Sequence, residues 1–210
     1  VDPDVDRLAI VSNDGSFFGE EYTLVSCADY ILSQQLGPTV SNLSSSKSLK
    51  ELTEKYNCKY YYSAVGEVNV VEKMKEVGAV IGGEGNGGVI YPDLHYGRDA
   101  LVGIALFLSL LSNKDKTTSE LRKEYPFYCM IKDKVSLFED RKIDDVFSKL
   151  KNIYSNANII NIDGLKIEFD KEWLHLRKSN TEPIIRIYAE GNDEIKLRKL
   201  IDETKNIINE

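Results

Sequence analysis

Residues 39–81 read TVSNLSSSKSLKELTEKYNCKYYYSAVGEVNVVEKMKEVGAVI, and this stretch decides the fold class of the first part of the chain. Residues 39–43 form a short strand-like run, followed by a serine-rich loop and a helical pattern over 48–56. The run 60–65 opens on three tyrosines and again reads as a strand. A helix over 70–76 closes at Gly78, and 79–81 is apolar and strand-like once more. Strand and helix alternate at short intervals, which predicts an α/β domain with a mixed, largely parallel sheet and helices on both faces. Upstream, Tyr22, Leu24, Val25, Ala28, Ile31, Leu32 and Leu36 recur at helical spacing, and Gly37-Pro38 stops that helix. Earlier still, 8–12 reads as a buried strand ended by the turn signal Asn13-Asp14-Gly15. Downstream, 99–111 is a strongly apolar helix and 112–118 a polar linker.

The pattern changes near Tyr125-Pro126. Beyond it come a strand over 128–137, a helix over 143–154, strands over 159–169 (with a turn at Asp163-Gly164), 173–177 and 184–189, and a final helix. Leu197, Leu200, Ile201, Thr204, Ile207 and Ile208 share one face of that helix. This predicts a small α+β domain with a four-stranded antiparallel sheet and helices on one side.

Composition narrows the function classes. A chain of 210 residues with 42% hydrophobic and 29% charged residues is neither disordered nor collagen-like. The longest apolar run, 101–111, is broken by Gly103 and Ser109 and is too short to span a bilayer, so no membrane partner is expected. Three scattered cysteines imply neither a disulfide framework nor a zinc cluster and point to a reducing, cytoplasmic setting. A net charge of −7 disfavours general nucleic-acid binding. Most of that charge lies before residue 128, so arginines of the second half can form a local anion site. The chain opens on Val-Asp-Pro-Asp-Val-Asp-Arg without Met, so we expect it to be cut rather than to begin there.

Three motifs can carry chemistry. In the first, Asp2, Asp4 and Asp6 alternate along a tight loop and can converge on one hard cation such as Mg²⁺, which prefers oxygen ligands. An EF-hand is excluded, because its sixth and twelfth positions would be Arg7 and Asn13. Arg7 is placed for an anion brought by the metal and is the catalytic candidate. In the second, Gly82-Gly83-Glu84-Gly85-Asn86-Gly87-Gly88 formally contains G-x-G-x-x-G. Val89-Ile90-Tyr91-Pro92 follows instead of a helix, which disfavours the dinucleotide reading. Glu84 and Asn86 remain as candidates for sugar hydroxyls, the plain alternative being a tight turn between strands. In the third, a loop held between two strands carries Arg177, Ser179, Asn180, Thr181 and Arg186, an inventory suited to phosphate. His95 and His175 read as surface or packing residues, and Ser44-Ser45-Ser46 as turn and N-cap residues.

In this order the motifs resemble the α-D-phosphohexomutases, the family of phosphoglucomutases, phosphomannomutases and phosphoglucosamine mutases. Asp-Pro-Asp-Val-Asp-Arg at 2–7 is similar to the family's magnesium loop, 83–88 to its sugar loop and 177–186 to its phosphate loop. Gly97-Arg98-Asp99-Ala100 and Asp163-Gly164 also fall where the family has them. Many members carry Ser and His where this chain has Asn86 and Gly88, and the Asn-Gly-Gly form resembles archaeal members. Glu67 and Asn69 are weaker candidates in the segment where the family varies its sugar contacts. The resemblance implies that 1–15 ends a second domain, that 16–125 is a sugar-binding third domain and that 126–210 is a phosphate-binding fourth. It implies a hexose phosphate substrate, Mg²⁺ as cofactor and the preceding domains of the same enzyme as partner. The family's phosphoserine loop, Ser-His-Asn-Pro, does not occur in these 210 residues, so the chain alone is expected to be inactive. A non-catalytic sugar-phosphate-binding module is the alternative. A haloacid-dehalogenase-like phosphatase on Asp4-Val5-Asp6 is disfavoured by Leu8, where such loops carry Thr or Val.

Overall fold

Strand β1 (Thr39–Asn42) is buried along its whole length, as befits a strand with neighbours on both sides and helices on both faces. It pairs in parallel with β2 (Tyr60–Ser63) and β3 (Ile81–Glu84), and β3 turns back antiparallel into β4 (Gly88–Ile90). The order is therefore β2-β1-β3-β4. The computed structural model describes residues 1–136, 143–179 and 182–209, in two units, Val1–Pro126 and Phe127–Glu210.

Alternation along the strands sorts the first unit's helices. Ile81 and Val89 point to a core shared with Leu24 and Cys27 of α1 (Glu20–Gln34), Leu49 of α2 (Ser48–Lys55) and Phe107 of α4 (Ala100–Lys114). Val40 and Ile90 point the other way, onto Val70 and Met74 of α3 (Glu67–Val77). Local chemistry sets the helix ends. Gly78 closes α3 in the left-handed region, and the Asp99 side chain caps α4 by accepting from the N–H groups of Leu101 and Val102. A buried carboxylate ties three of these elements together: Asp29 accepts from the hydroxyls of Tyr56 and Tyr125 and from Lys114 Nζ.

Some expected boundaries move. Residues 8–12 form no strand of the sheet; Arg7 and Val11 make single bridges to Gly88 and Phe17, and Val11 is exposed. The chain turns too soon for a ladder, because the Ser12 N–H already donates to Ser16 O. The 112–118 linker is shortened at both ends by α4 and by α5 (Thr118–Arg122), which starts on a Thr117/Glu120 capping box.

In the second unit β5 (Cys129–Ser136), β6 (Asn158–Ile160), β7 (Leu165–Glu168), β8 (Trp173–Lys178) and β9 (Ile184–Gly191) form one antiparallel sheet, ordered β5-β9-β8-β7-β6. Helices α6 (Ile143–Ile153) and α7 (Glu194–Asn209) bury Leu150, Leu197 and Ile201 against Leu165, Ile167, Leu174 and Ile187 of one sheet face. The sheet has five strands, not four, because Asp163-Gly164 reverses the chain within 159–169. Gly164 sits at φ +71, and β6 and β7 pair as a hairpin across it.

The other face of this sheet carries Lys166, Trp173, His175 and Glu190, all buried. Trp173 Nε1 donates to Glu190 at 2.9 Å, and Lys166 Nζ lies 4.3 Å from the Trp173 ring. His175 Nε2 donates to Asp163 O at 2.7 Å, and burial pushes its pKa down to about 4. The folded pKa lies below the unfolded one, so this contribution is complete above about pH 6.5 and is lost as pH falls toward 4. Between pH 7.5 and 5.5 the unfolding free energy of this unit should fall by about 1.4 kcal/mol. Trp173, the only tryptophan, reports this unit in urea titrations of the whole chain. His175→Gln should flatten the profile, and a flat wild-type profile would remove the explanation.

Candidate functional site

Because β1 and β3 run parallel, their carboxyl ends emerge at one sheet edge, where α/β proteins hold ligands. Asn42 ends β1 and Glu84 ends β3, and Asn42 Nδ2 donates to Glu84 Oε1 at 2.7 Å. The Gly66 N–H, just before α3, reaches the same oxygen at 3.2 Å. Glu84 is buried, and its second oxygen accepts from Arg98 Nη1 at 2.8 Å.

The glycine segment is the β3–β4 hairpin, so its plain reading as a turn between strands is what the backbone adopts. Its rim is held from three sides. The Asn86 side chain accepts from the Gly88 N–H, the Gly85 N–H donates to Ser45 Oγ, and the Glu21 carboxylate lies where a side chain at 85 would have to go. Of the serines of 44–46, Ser45 thus serves this hairpin, while Ser46 Oγ accepts from the N–H of Ser48, the first residue of α2, whose N-cap Lys47 provides no side-chain cap. Gly87 must lack a side chain: it sits at φ +87, and a Cβ there would run into Leu8 O.

That close approach joins the first two motifs. The Leu8 N–H donates to Gly87 O, and Arg7 bridges Gly88, so the acidic loop is stitched by backbone to the glycine hairpin. The loop is wound around the Asp2 side chain, whose Oδ1 accepts from the N–H groups of Asp6 and Arg7. Val5 takes φ +58, a conformation that a β-branched residue adopts only under strain, and the Ala100 N–H fixes Val5 O at the start of α4.

Wound this way, Asp2, Asp4 and Asp6 bring one carboxylate oxygen each within 4.8 Å of the others. Burial opposes ionisation of Asp2, but the Arg7 hydrogen bonds hold its pKa well below the usual carboxylate range. Burial drives the Asp6 pKa up, against the pull of Arg98 and reinforced by the adjoining acids. Arg7 Nε is 2.5 Å from Asp2 and 3.4 Å from Asp6, with half of its side chain exposed. Asp6 Oδ1 is buried and accepts no hydrogen bond among the described residues. Three hard oxygen donors, one of them buried and short of a hydrogen bond, suit a small divalent cation.

Arg98, singled out by the sequence only through Gly97-Arg98-Asp99, proves central. Its Nη2 pairs with Asp6 Oδ2 and its backbone N–H donates to Glu67 Oε1 at 2.8 Å. Of the weaker candidates, Glu67 is thus in the site, whereas the Asn69 side chain donates to Val65 O nearby. His95 lies on the surface and pairs with Asp99.

In the second unit Arg177 and Arg186 are direct cross-strand partners of β8 and β9. Like charges in that position repel unless an anion separates them. Their acidic neighbours are only loosely engaged, Asp163 at 3.5 Å from Arg177 and Glu182 at 3.7 Å from Arg186. Ser179 is buried and closes the strand pair through its N–H to Ile184 O. Asn180 and Thr181, the other two candidates of this loop, lie outside the described residues.

An α/β unit with an acidic loop pinned to a glycine hairpin, followed by an antiparallel unit with paired arginines, marks a protein of the phosphohexomutase type. Residues 19–128 match the α/β/α domain III of phosphoglucomutase/phosphomannomutase and 130–207 match the C-terminal domain, and the chain belongs to this family. It is 35% identical over 212 residues to a phosphoglucosamine/phosphogalactosamine mutase of Sulfurisphaera tokodaii, covering 99% of this chain and 47% of the relative. It is 33% identical to a phosphoglucomutase/phosphomannomutase of Thermococcus kodakarensis, covering 96% and 44%. The chain therefore spans about half the length of these curated relatives. A family structure from Burkholderia thailandensis shares the fold with a TM-score of 0.82 at 24% identity, over 98% of this chain and 44% of that one. An N-acetylphosphoglucosamine mutase of Aspergillus fumigatus, in complex with GlcNAc-6P and magnesium, aligns with a TM-score of 0.71 at 15% identity, over 99% and 51%. No helix among the described residues is long and apolar enough to cross a membrane.

Proposed function

We propose that this chain supplies the metal loop, the sugar loop and the phosphate clamp of a hexose-phosphate mutase, an isomerase that moves a phosphoryl group between the 6- and 1-positions of glucosamine, glucose or mannose phosphate. The observation that carries the proposal is the convergence of Asp2, Asp4 and Asp6 beside the glycine hairpin, with Asp6 Oδ1 buried and accepting no hydrogen bond among the described residues. In this frame 1–15 ends a second domain, 16–125 is the third and 126–210 the fourth, with the phosphoserine nucleophile on preceding domains of the same enzyme.

Phosphoryl transfer asks for positioning and charge neutralisation more than for covalent chemistry from the protein. Asp2, Asp4 and Asp6 would hold Mg²⁺, which when bound neutralises charge on the transferring phosphoryl group. Arg7, half exposed, donates to that group. Asn86 and Glu84 orient sugar hydroxyls, although Glu84 already gives both oxygens to protein donors and so must share them. Arg177, Ser179, Asn180, Thr181 and Arg186 hold the phosphate that is not transferred.

Calorimetric titration of the 210-residue chain with hexose 6-phosphates tests the proposal, alongside a coupled assay for phosphate migration. Saturable binding stronger than that of inorganic phosphate, without turnover, is expected. Turnover by the chain alone would contradict the missing nucleophile, and no preference over inorganic phosphate would remove the sugar loop from the account.

A further inference from the structure

We propose that Arg98 is a positioning residue that competes with a bound divalent cation for Asp6 and thereby couples the acidic loop to Glu84 of the glycine hairpin. The inference rests on the metal-loop reading above. One guanidinium stands among acids from three separate segments: Asp6 of the acidic loop, Glu84 at the end of β3 and Glu67 at the start of α3. A purely structural bridge of this kind would satisfy all its polar atoms, since a buried charge group gains only when its donors and acceptors are paired. This one does not. Asp6 Oδ1 and Arg98 Nε are both buried and make no hydrogen bond among the described residues, with Arg7 Nε 3.4 Å from that Oδ1 and Glu67 Oε2 3.4 Å from that Nε.

The position of the guanidinium is built into the hairpin. A Cβ at Gly88 would collide with Arg98 Cδ, so the arginine stem occupies the room that a side chain at 88 would take. Arg98 therefore reaches Asp6 and Glu84 because position 88 is glycine. It is the resident cation of this junction, and it already covers one oxygen of Asp6. When Asp6 turns to a divalent cation, the guanidinium keeps Glu84 and Glu67 as partners and its pairing with Asp6 weakens. The sugar-facing acid and the metal loop thus share one counter-ion, and by linkage whatever strengthens the hold of Glu84 and Glu67 on Arg98 favours the cation at Asp6.

Mn²⁺ binding to the 210-residue chain, with free Mn²⁺ counted by electron paramagnetic resonance, tests this. Arg98→Met removes the competing charge and should bind Mn²⁺ about tenfold more tightly than wild type, with Arg98→Lys in between. Loss of a merely structural residue would weaken binding instead. Glu67→Gln acts from outside the acidic loop: it should weaken Mn²⁺ binding about threefold by leaving Arg98 to Asp6, and should have less effect in the Arg98→Met background. Mn²⁺ binding by Arg98→Met but not by wild type also supports competition. Equal or weaker binding by a folded Arg98→Met overturns the proposal while leaving the metal loop standing. Binding by neither chain overturns both. Should Arg98→Met not fold, Glu67→Gln decides, and an unchanged affinity in that variant overturns the coupling.

Discussion

Replacing Arg177 and Arg186 together by alanine is expected to weaken hexose 6-phosphate binding by about 100-fold or more while leaving the second unit at least as stable as before. Each guanidinium offers charge-assisted donors to a phosphate, and such bonds contribute about 1.5–3 kcal/mol apiece. The stability half of the expectation comes from the register. The two arginines face each other across β8 and β9, and their pairings with Asp163 and Glu182 are long and partly exposed. Without an anion they gain little from each other's company, so alanine relieves a repulsion. Trp173 fluorescence follows folding of the same unit, and calorimetry follows binding. A large loss of stability with unchanged affinity would make the pair structural and move the phosphate elsewhere.

Much of this was legible in the sequence, for identifiable reasons. The alternation over 39–81 fixes the parallel sheet because strands and helices of that length differ in period, and the structure has β1, α2, β2, α3 and β3 in that order. The glycine at 78 and the aspartate at 99 mark helix ends through local chemistry that tertiary packing did not override. The turn at Asp163-Gly164 is legible in the sequence, but the strand count falls one short because that turn makes two paired strands of one stretch. The run 8–12 misled for the opposite reason: its apolar residues look like a strand, but whether a ladder forms depends on a distant partner, and Gly87 and Gly88 accept only a short contact. The three acids at 2, 4 and 6 were visible as spacing, whereas Arg98, Asn42 and Glu21 were not. Arg98 reaches Asp6 across 92 residues and Asn42 reaches Glu84 across 42, separations that no local spacing reveals. Only the close approach of backbone at Gly85 and Gly88 hints at them, and a glycine does not announce which side chain uses its room.

Asp6→Asn should lower Mn²⁺ affinity by about 100-fold, and Asp4→Asn by only about tenfold. The ordering follows from burial. Asp4 is exposed, where water replaces a lost ligand, but Asp6 brings a buried oxygen that accepts no hydrogen bond among the described residues, and asparagine keeps its shape while removing its charge. The fold should tolerate the change, because burial and the neighbouring acids already press Asp6 toward its neutral form. Amide spectra of 2–8 and 83–89 can verify that the loop and hairpin remain stitched. Equal affinities for the two variants would mean that the cation sits on the open side of the loop, away from Asp6. The same variant bears on Arg98: competition for Asp6 requires Asp6, so in the Asp6→Asn background the gain from Arg98→Met should vanish. A gain that persists would trace to general electrostatic attraction, since charge removal acts on any nearby cation whether or not a shared carboxylate lies between them.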